Sequence, residues 1–187
     1  MRKNENIKKM VLNSILLAIG FLLHQITPTL GLPMQPDFSL VMLFIVIILN
    51  NGEYKVCLLS GIIIGLFTAI TTKFPGGQIP NMIDKFVTLH VVYFLIFVLN
   101  KIKIENIKYK KTTILIKAII IFSIGTLVSG LSFLISANFI VGLPASFMNL
   151  FLVVVVPAVV MNMIVGLILF KTIERATRGL KITFFKK

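Results

Sequence analysis

The sequence predicts an all-α membrane protein: six transmembrane helices in one bundle, with the N and C termini in the cytoplasm. Three observations predict it. At 57% hydrophobic and 13% charged residues, with a mean hydropathy of +1.01, the chain is far too apolar for a soluble domain. Six apolar stretches punctuate it, and hydrocarbon offers no partner for an unpaired peptide N–H, so each is expected to cross as a helix. The loops between them alternate between heavily and lightly basic, which orients the helices. The 187 residues suit a single six-helix domain over 1–187, with no appended catalytic domain.

The spans follow in order. The first covers about 10–26, from Met10 to Ile26, and is halted by Thr27-Pro28. Thr27-Pro28-Thr29 reads as a turn, and no small-x-small cleavage site follows, so span one is expected to be retained rather than removed as a signal peptide. The second, 38–49, ends at Asn50-Asn51-Gly52. It is short: at ~1.5 Å per residue it reaches ~18 Å, against a hydrocarbon core of ~30 Å. Either the preceding segment dips into the protein or the bilayer thins there, and the dip is the favoured expectation. The third, 56–72, stops at Pro75-Gly76-Gly77; the remaining spans cover 79–99, 114–135 and 147–170.

Lysine and arginine set the topology. Arg2, Lys3, Lys8 and Lys9 precede span one, and Lys55 lies in the second loop. Lys101, Lys103, Lys108, Lys110 and Lys111 fill the fourth loop, with Lys117 just inside span five. Lys171, Arg175, Arg178, Lys181, Lys186 and Lys187 end the chain. All of these fall on the side predicted to be cytoplasmic, leaving only Lys73 outside and Lys85 within span four. The net charge of +13 therefore reads as membrane topology rather than a nucleic-acid surface.

The sequence offers little for catalysis. It contains no GxxxxGK[ST] phosphate loop, no HExxH, no GxSxG elbow, and no cluster of cysteine or histidine. Cys57 is the only cysteine, so an internal disulfide is excluded, and its place in an apolar run makes it a small buried hydrophobe. His24 and His90, the only histidines, read first as hydrogen-bonded packing residues. No enzymatic activity, cofactor or metal site is expected.

Binding features gather on the outer side. Asp37 directly precedes span two; it either caps that helix or holds a substrate ammonium, and the two roles are compatible. Phe74-Pro75-Gly76-Gly77-Gln78-Ile79-Pro80-Asn81 leads into span four. Exposed N–H groups at such a helix start suit a carboxylate or phosphate, although the same residues also make an ordinary turn. Within span four, Gln78, Asn81, Lys85 and Thr88 fall within about 80° of one another, with Asp84 beside them. Charge inside a span is expensive and lines a cavity or pairs. Adjacent Asp84 and Lys85 point roughly 100° apart, so they are expected to pair poorly with each other, and at least one should meet another helix or a ligand. A buried ion pair that staples helices is the alternative. Asn149 and Asn138 lie at the same level, with Phe38, Phe74, Phe133, Phe139, Phe147 and Phe151. Charges of both signs beside aromatics describe a pocket for a small zwitterion with a hydrophobic side chain.

Elsewhere Ser14 and Ala18 form a small-xxx-small face on span one, and Ser60, Gly61, Gly65 and Ala69 do so on span three. Each serves internal packing or a partner interface.

The chain resembles a known family over nearly its whole length. Val11-Leu12-Asn13 through Leu17-Ala18-Ile19-Gly20 carry the resemblance, with Pro36-Asp37-Phe38 and above all Thr71-Thr72-Lys73-Phe74-Pro75-Gly76-Gly77-Gln78-Ile79-Pro80-Asn81-Met82-Ile83-Asp84-Lys85. It looks like the substrate-capture (S) component of energy-coupling factor (ECF) transporters, in the tryptophan-transporter branch. The resemblance implies a six-helix fold with a cavity near the outer surface, in the cell membrane. It also implies docking onto a transmembrane coupling protein that carries two ATPase subunits, with the capture subunit toppling in the bilayer to release substrate. The family's Ala-xxx-Ala docking motif would map onto Ser14 and Ala18, with serine in place of the first alanine.

The resulting expectation is capture of tryptophan for uptake. Asp37 would take the ammonium, while Lys85 and the N–H groups from Gly76 to Asn81, Gln78 among them, would take the carboxylate. Phe74 and nearby aromatics would stack on the indole and Asn149 would accept its N–H, with Asp84 also counted among the substrate-binding residues. Two alternatives remain open from the sequence: a self-sufficient carrier coupled to protons through Asp84, and a ligand-free membrane scaffold. Charge and spacing do not separate tryptophan from other aromatic amino acids.

Overall fold

The computed structural model describes residues 2–28, 37–101 and 110–177. Among these, every regular element is helical. Helix α1 is Arg2–Ile26, α2 is Phe38–Leu49, α3 is Tyr54–Ile70, α4 is Gln78–Lys101 and α5 is Lys110–Ile140. The last helix, α6, runs over Phe147–Thr177 with a π-helical turn at Phe151–Val155.

Among the described residues, four helical stretches are long and apolar enough to cross a membrane: Asn6–Ile26, Gln78–Lys101, Thr112–Ile140 and Phe147–Thr177. Helices α2 and α3 are shorter, at 12 and 17 residues. The helices overrun several of the expected spans, because lysine and arginine are good helix formers and carry α1, α4 and α5 past the apolar stretch. Helix α3 instead stops at Ile70, two residues early. The Thr71 hydroxyl donates to the Phe67 carbonyl at 2.7 Å, and the backbone N–H of Thr71 caps the same oxygen.

The short α2 is the axis of the fold. Every residue from Ser39 to Leu49 is buried, because α1, α3, α5 and α6 pack around it. A helix apolar on all faces belongs in such a place. Enclosed by protein, α2 faces its neighbours rather than lipid, so its ~18 Å length needs no thinned bilayer. The expected dip of the preceding segment, 29–36, lies outside the described residues.

Helix α4 packs between α3 and α5, and α5 against α6. Small residues set these distances. A Cβ on Gly61 of α3 would lie 2.2 Å from the Leu89 side chain of α4, and one on Gly125 of α5 would lie 2.5 Å from the Phe44 ring of α2. Ser60, Gly61, Gly65 and Ala69 are all buried, so the small face of α3 serves internal packing. Cys57 is fully buried, as expected.

Pro157 accounts for the π turn in α6. Lacking an N–H, it cannot bond to the carbonyl four residues back, and just before it the N–H of Val156 reaches the Phe151 carbonyl. π turns widen a helix locally, and this one brings Val154 and Val155 to face α5.

Candidate substrate-binding site

A cavity of about 80 Å³ opens where five helices approach one another, toward the start of α4. That is several times the ~10–15 Å³ needed for one water. Its wall takes His24 from α1, Asp37 and Leu40 from the start of α2, and Thr72, Lys73 and Phe74 from the α3–α4 connection. Helix α4 contributes Asn81, Asp84 and Lys85; Thr126, Ser129, Gly130 and Phe133 come from α5, and Val154, Val155, Ala158 and Asn162 from α6.

Local structure positions each charge. Asp37 is the N-cap of α2, its Oδ1 accepting from the Leu40 N–H at 3.2 Å and from the Ser39 hydroxyl. The same carboxylate faces Lys85 across the cavity wall, with Nζ to Oδ2 at 2.7 Å. On its other side, His24 Nδ1 lies 3.2 Å from Oδ1. Capping and ion pairing therefore coexist. Burial favours the neutral acid at Asp37, but the Lys85 ammonium and the His24 ring outweigh it and hold the carboxyl well below the usual carboxylate range.

Lys85 also bonds to Asp84. The expectation that these neighbours pair poorly is overturned, because the four-carbon lysine stem is long enough to curl back and cross the angle between adjacent positions. The companion expectation, of a partner on another helix, is met by Asp37. Asp84 also accepts from the Thr88 hydroxyl at 3.0 Å. With 1–2% of their surfaces exposed, Lys85 and Asp84 are buried ions that survive only because each has a partner.

The cation thus lies between two carboxylates, with the His24 ring against the outer face of one of them. A second cation, Lys73, lines the mouth and donates to the Thr27 carbonyl at 2.8 Å. Phe74 and Phe133 meet edge to face, ring centroids 5.3 Å apart, and form the aromatic wall.

Not every expected residue reaches this cavity. Asp37, Phe74, Asn81, Asp84 and Lys85 line it; Gly76, Gly77 and Gln78 do not. Gly76 supplies the turn, with φ of +70°, a conformation that glycine adopts without strain. The Gly77 N–H donates to the Phe74 carbonyl at 2.9 Å, so the turn consumes one of the amides expected to meet a carboxylate. Gln78 is exposed, and the Asn81 amide donates to the Gly77 carbonyl at 2.8 Å. Asn149 is exposed in the first turn of α6, outside the lining, and its N–H bonds to the Ser146 hydroxyl. Ser14 and Ala18 lie on the exposed face of α1, and the Ser14 hydroxyl turns back to the Met10 carbonyl.

Sequence reasoning missed Thr126, Ser129 and Asn162, and took His24 for packing. A signal existed: Thr126 and Ser129 are three apart, on one helix face, and Asn162 is an amide amid an apolar run.

The sequence profile of the family described as "Tryptophan transporter TrpP" matches residues 6–178. The chain belongs to that family. Its relatives include a "Probable tryptophan transport protein" of Clostridium perfringens, 50% identical over 179 residues that cover 95% of this chain and 97% of the relative. Proteins of the same description from Clostridium acetobutylicum and Bacillus subtilis are 47% and 40% identical, covering 92% and 91% of this chain and 95% and 93% of the relatives. No solved structure matches. The TrpP family is one of transporters, not enzymes, and with its four long apolar helices the chain is a membrane protein.

Proposed function

We propose that this protein captures tryptophan at the outer face of the cell membrane for uptake. The observation that carries the reading is the convergence of Asp37, Lys85 and Asp84 with an aromatic wall on one cavity. A zwitterion with a large apolar side chain matches that combination. Asp37 takes the ammonium, which suits a cluster in which two carboxyl groups share one lysine. Lys85 takes the carboxylate, with Lys73 as a second cation at the mouth. Phe74 and Phe133 close the cavity on its outer side over the bound molecule. Asn149 and the Gly76–Gln78 turn stand outside this arrangement and support it only through the fold.

The single domain spans the bilayer six times with cytoplasmic termini, the orientation that the basic loops favour. Among the described residues, the outward face of α1, with Ser14 and Ala18 among Met10, Val11, Ile15, Ile19 and Leu22, is an apolar surface suited to another membrane helix. Following the ECF resemblance, we assign it to docking of a coupling protein whose ATPase subunits drive release.

Two measurements test this reading. Thermal unfolding of the detergent-solubilised protein is expected to rise with tryptophan and not with small or acidic amino acids, since a ligand that binds the folded state stabilises it by mass action. Proteoliposomes containing the protein alone are expected to take up no tryptophan under a proton gradient. Uptake there would replace the ATP-coupled reading with an ion-coupled carrier, and a lack of stabilisation by any amino acid would point to a scaffold.

A further inference from the structure

Asn162 belongs to none of the ionic machinery, yet it holds an unused valence at the cavity. It is 1% exposed. Its Nδ2 donates to the Thr126 hydroxyl at 3.4 Å, while its Oδ1 is buried with no hydrogen-bond partner among the described residues. An acceptor withdrawn from water without a donor costs roughly 1–3 kcal/mol. Within a cavity, such an atom is satisfied when a ligand brings the donor.

The position along α5 shows which part of the ligand arrives there. Ser129 lines the cavity beside Asp84, and Thr126, the partner of Asn162, is three residues earlier on the same helix, farther from the mouth. Three residues advance about 4.5 Å along the axis. The free acceptor is therefore about one helical turn deeper than the charged cluster, on the side away from the Phe74–Phe133 wall at the mouth. With the ammonium and carboxylate at the cluster, the far end of a large side chain comes to Asn162. The walls around it, Val154, Val155 and Ala158, supply no competing donor from their side chains.

We propose that Asn162 Oδ1 accepts the indole N–H of the substrate and so selects tryptophan over aromatic amino acids that lack a donor at that point. This deepens the tryptophan-capture reading and rests on it. Thr126 acts as a positioning residue that holds the amide with its oxygen toward the ligand.

The test compares tryptophan with 3-(3-benzothienyl)alanine, in which sulfur replaces the N–H at nearly the same shape. Equilibrium binding to the purified full chain is measured for wild type, Asn162→Leu and Asn162→Ala. Wild type is expected to bind tryptophan at least about tenfold more tightly than the analogue, the equivalent of roughly 1.4 kcal/mol. In both variants the two ligands are expected to bind within about twofold of each other, with affinity for the analogue retained as proof of an intact site. A wild-type ratio near one overturns the inference even if neither variant folds, and so does a variant that keeps the wild-type ratio. Absence of binding of either ligand to stable wild-type protein overturns the tryptophan reading itself, which is a different result.

Discussion

Helices α2 and α4 handle polarity in opposite ways. Helix α2 carries apolar side chains on every face and is sealed inside the protein from Ser39 to Leu49. Helix α4 is the reverse: Asp84, Lys85 and Thr88 point inward and are buried, while Phe94 is 64% exposed and Phe86 and Phe97 also face outward. In a bilayer, lipid is as apolar as leucine, so exclusion from water does not sort side chains between core and surface. Packing decides where an apolar residue goes, and charge decides what must be enclosed. The cavity lies at the mouth of α2, where its N-cap carboxylate meets the buried charges of α4.

That contrast can be broken by four substitutions, each read by unfolding of the purified protein in detergent. Lys85→Met removes the ammonium that lies between Asp37 and Asp84, and is expected to cost about 4 kcal/mol. A cost below about 1 kcal/mol would mean that the ions of α4 hold nothing together. Phe44→Ala on α2 opens a hole among Phe44, Phe122 and their neighbours, which are fully buried. It is expected to cost about 3 kcal/mol, near the low end for such a truncation because lost packing, rather than water exclusion, supplies most of it. Gly125→Ala places a Cβ 2.5 Å from the Phe44 ring and is expected to cost about 2 kcal/mol through forced repacking. Phe94→Ala on the outward face of α4 is expected to change stability by less than about 0.5 kcal/mol. Equal costs for Phe44→Ala and Phe94→Ala would erase the distinction between the two helices.

Much of this was legible in the sequence, and the reasons for the rest are physical. Apolar length and loop charge indicated helices and their ends, because hydrocarbon leaves the backbone one solution. Asp37 stood out as a carboxylate at a helix start, and Lys85 as a charge inside a span; both proved to line one cavity. The direct Asp84–Lys85 bond was not legible, since helical angles describe Cβ directions and not the reach of a lysine stem. Asn149 seemed a natural polar group for the site, but depth along a helix depends on where the neighbouring helix begins, and α6 starts well outside the cavity. Asn162 was hidden for the same reason. Its partner on α5 comes from 36 residues away in sequence, a pairing that only the packed bundle reveals.

The central claim is that the Asp37 carboxylate faces a ligand as well as a helix, and Asp37→Asn tests it most directly. Asparagine keeps the shape and still caps α2, while Lys85 keeps Asp84 as its counter-ion, so the fold should persist. Equilibrium binding of radiolabelled tryptophan to the purified variant is predicted to be ten- to a hundredfold weaker than to wild type, the loss expected when a hydrogen bond to a charged group is removed. Tryptophan affinity equal to wild type in a stably folded Asp37→Asn protein would contradict the claim, and would leave the cluster as a clamp between helices.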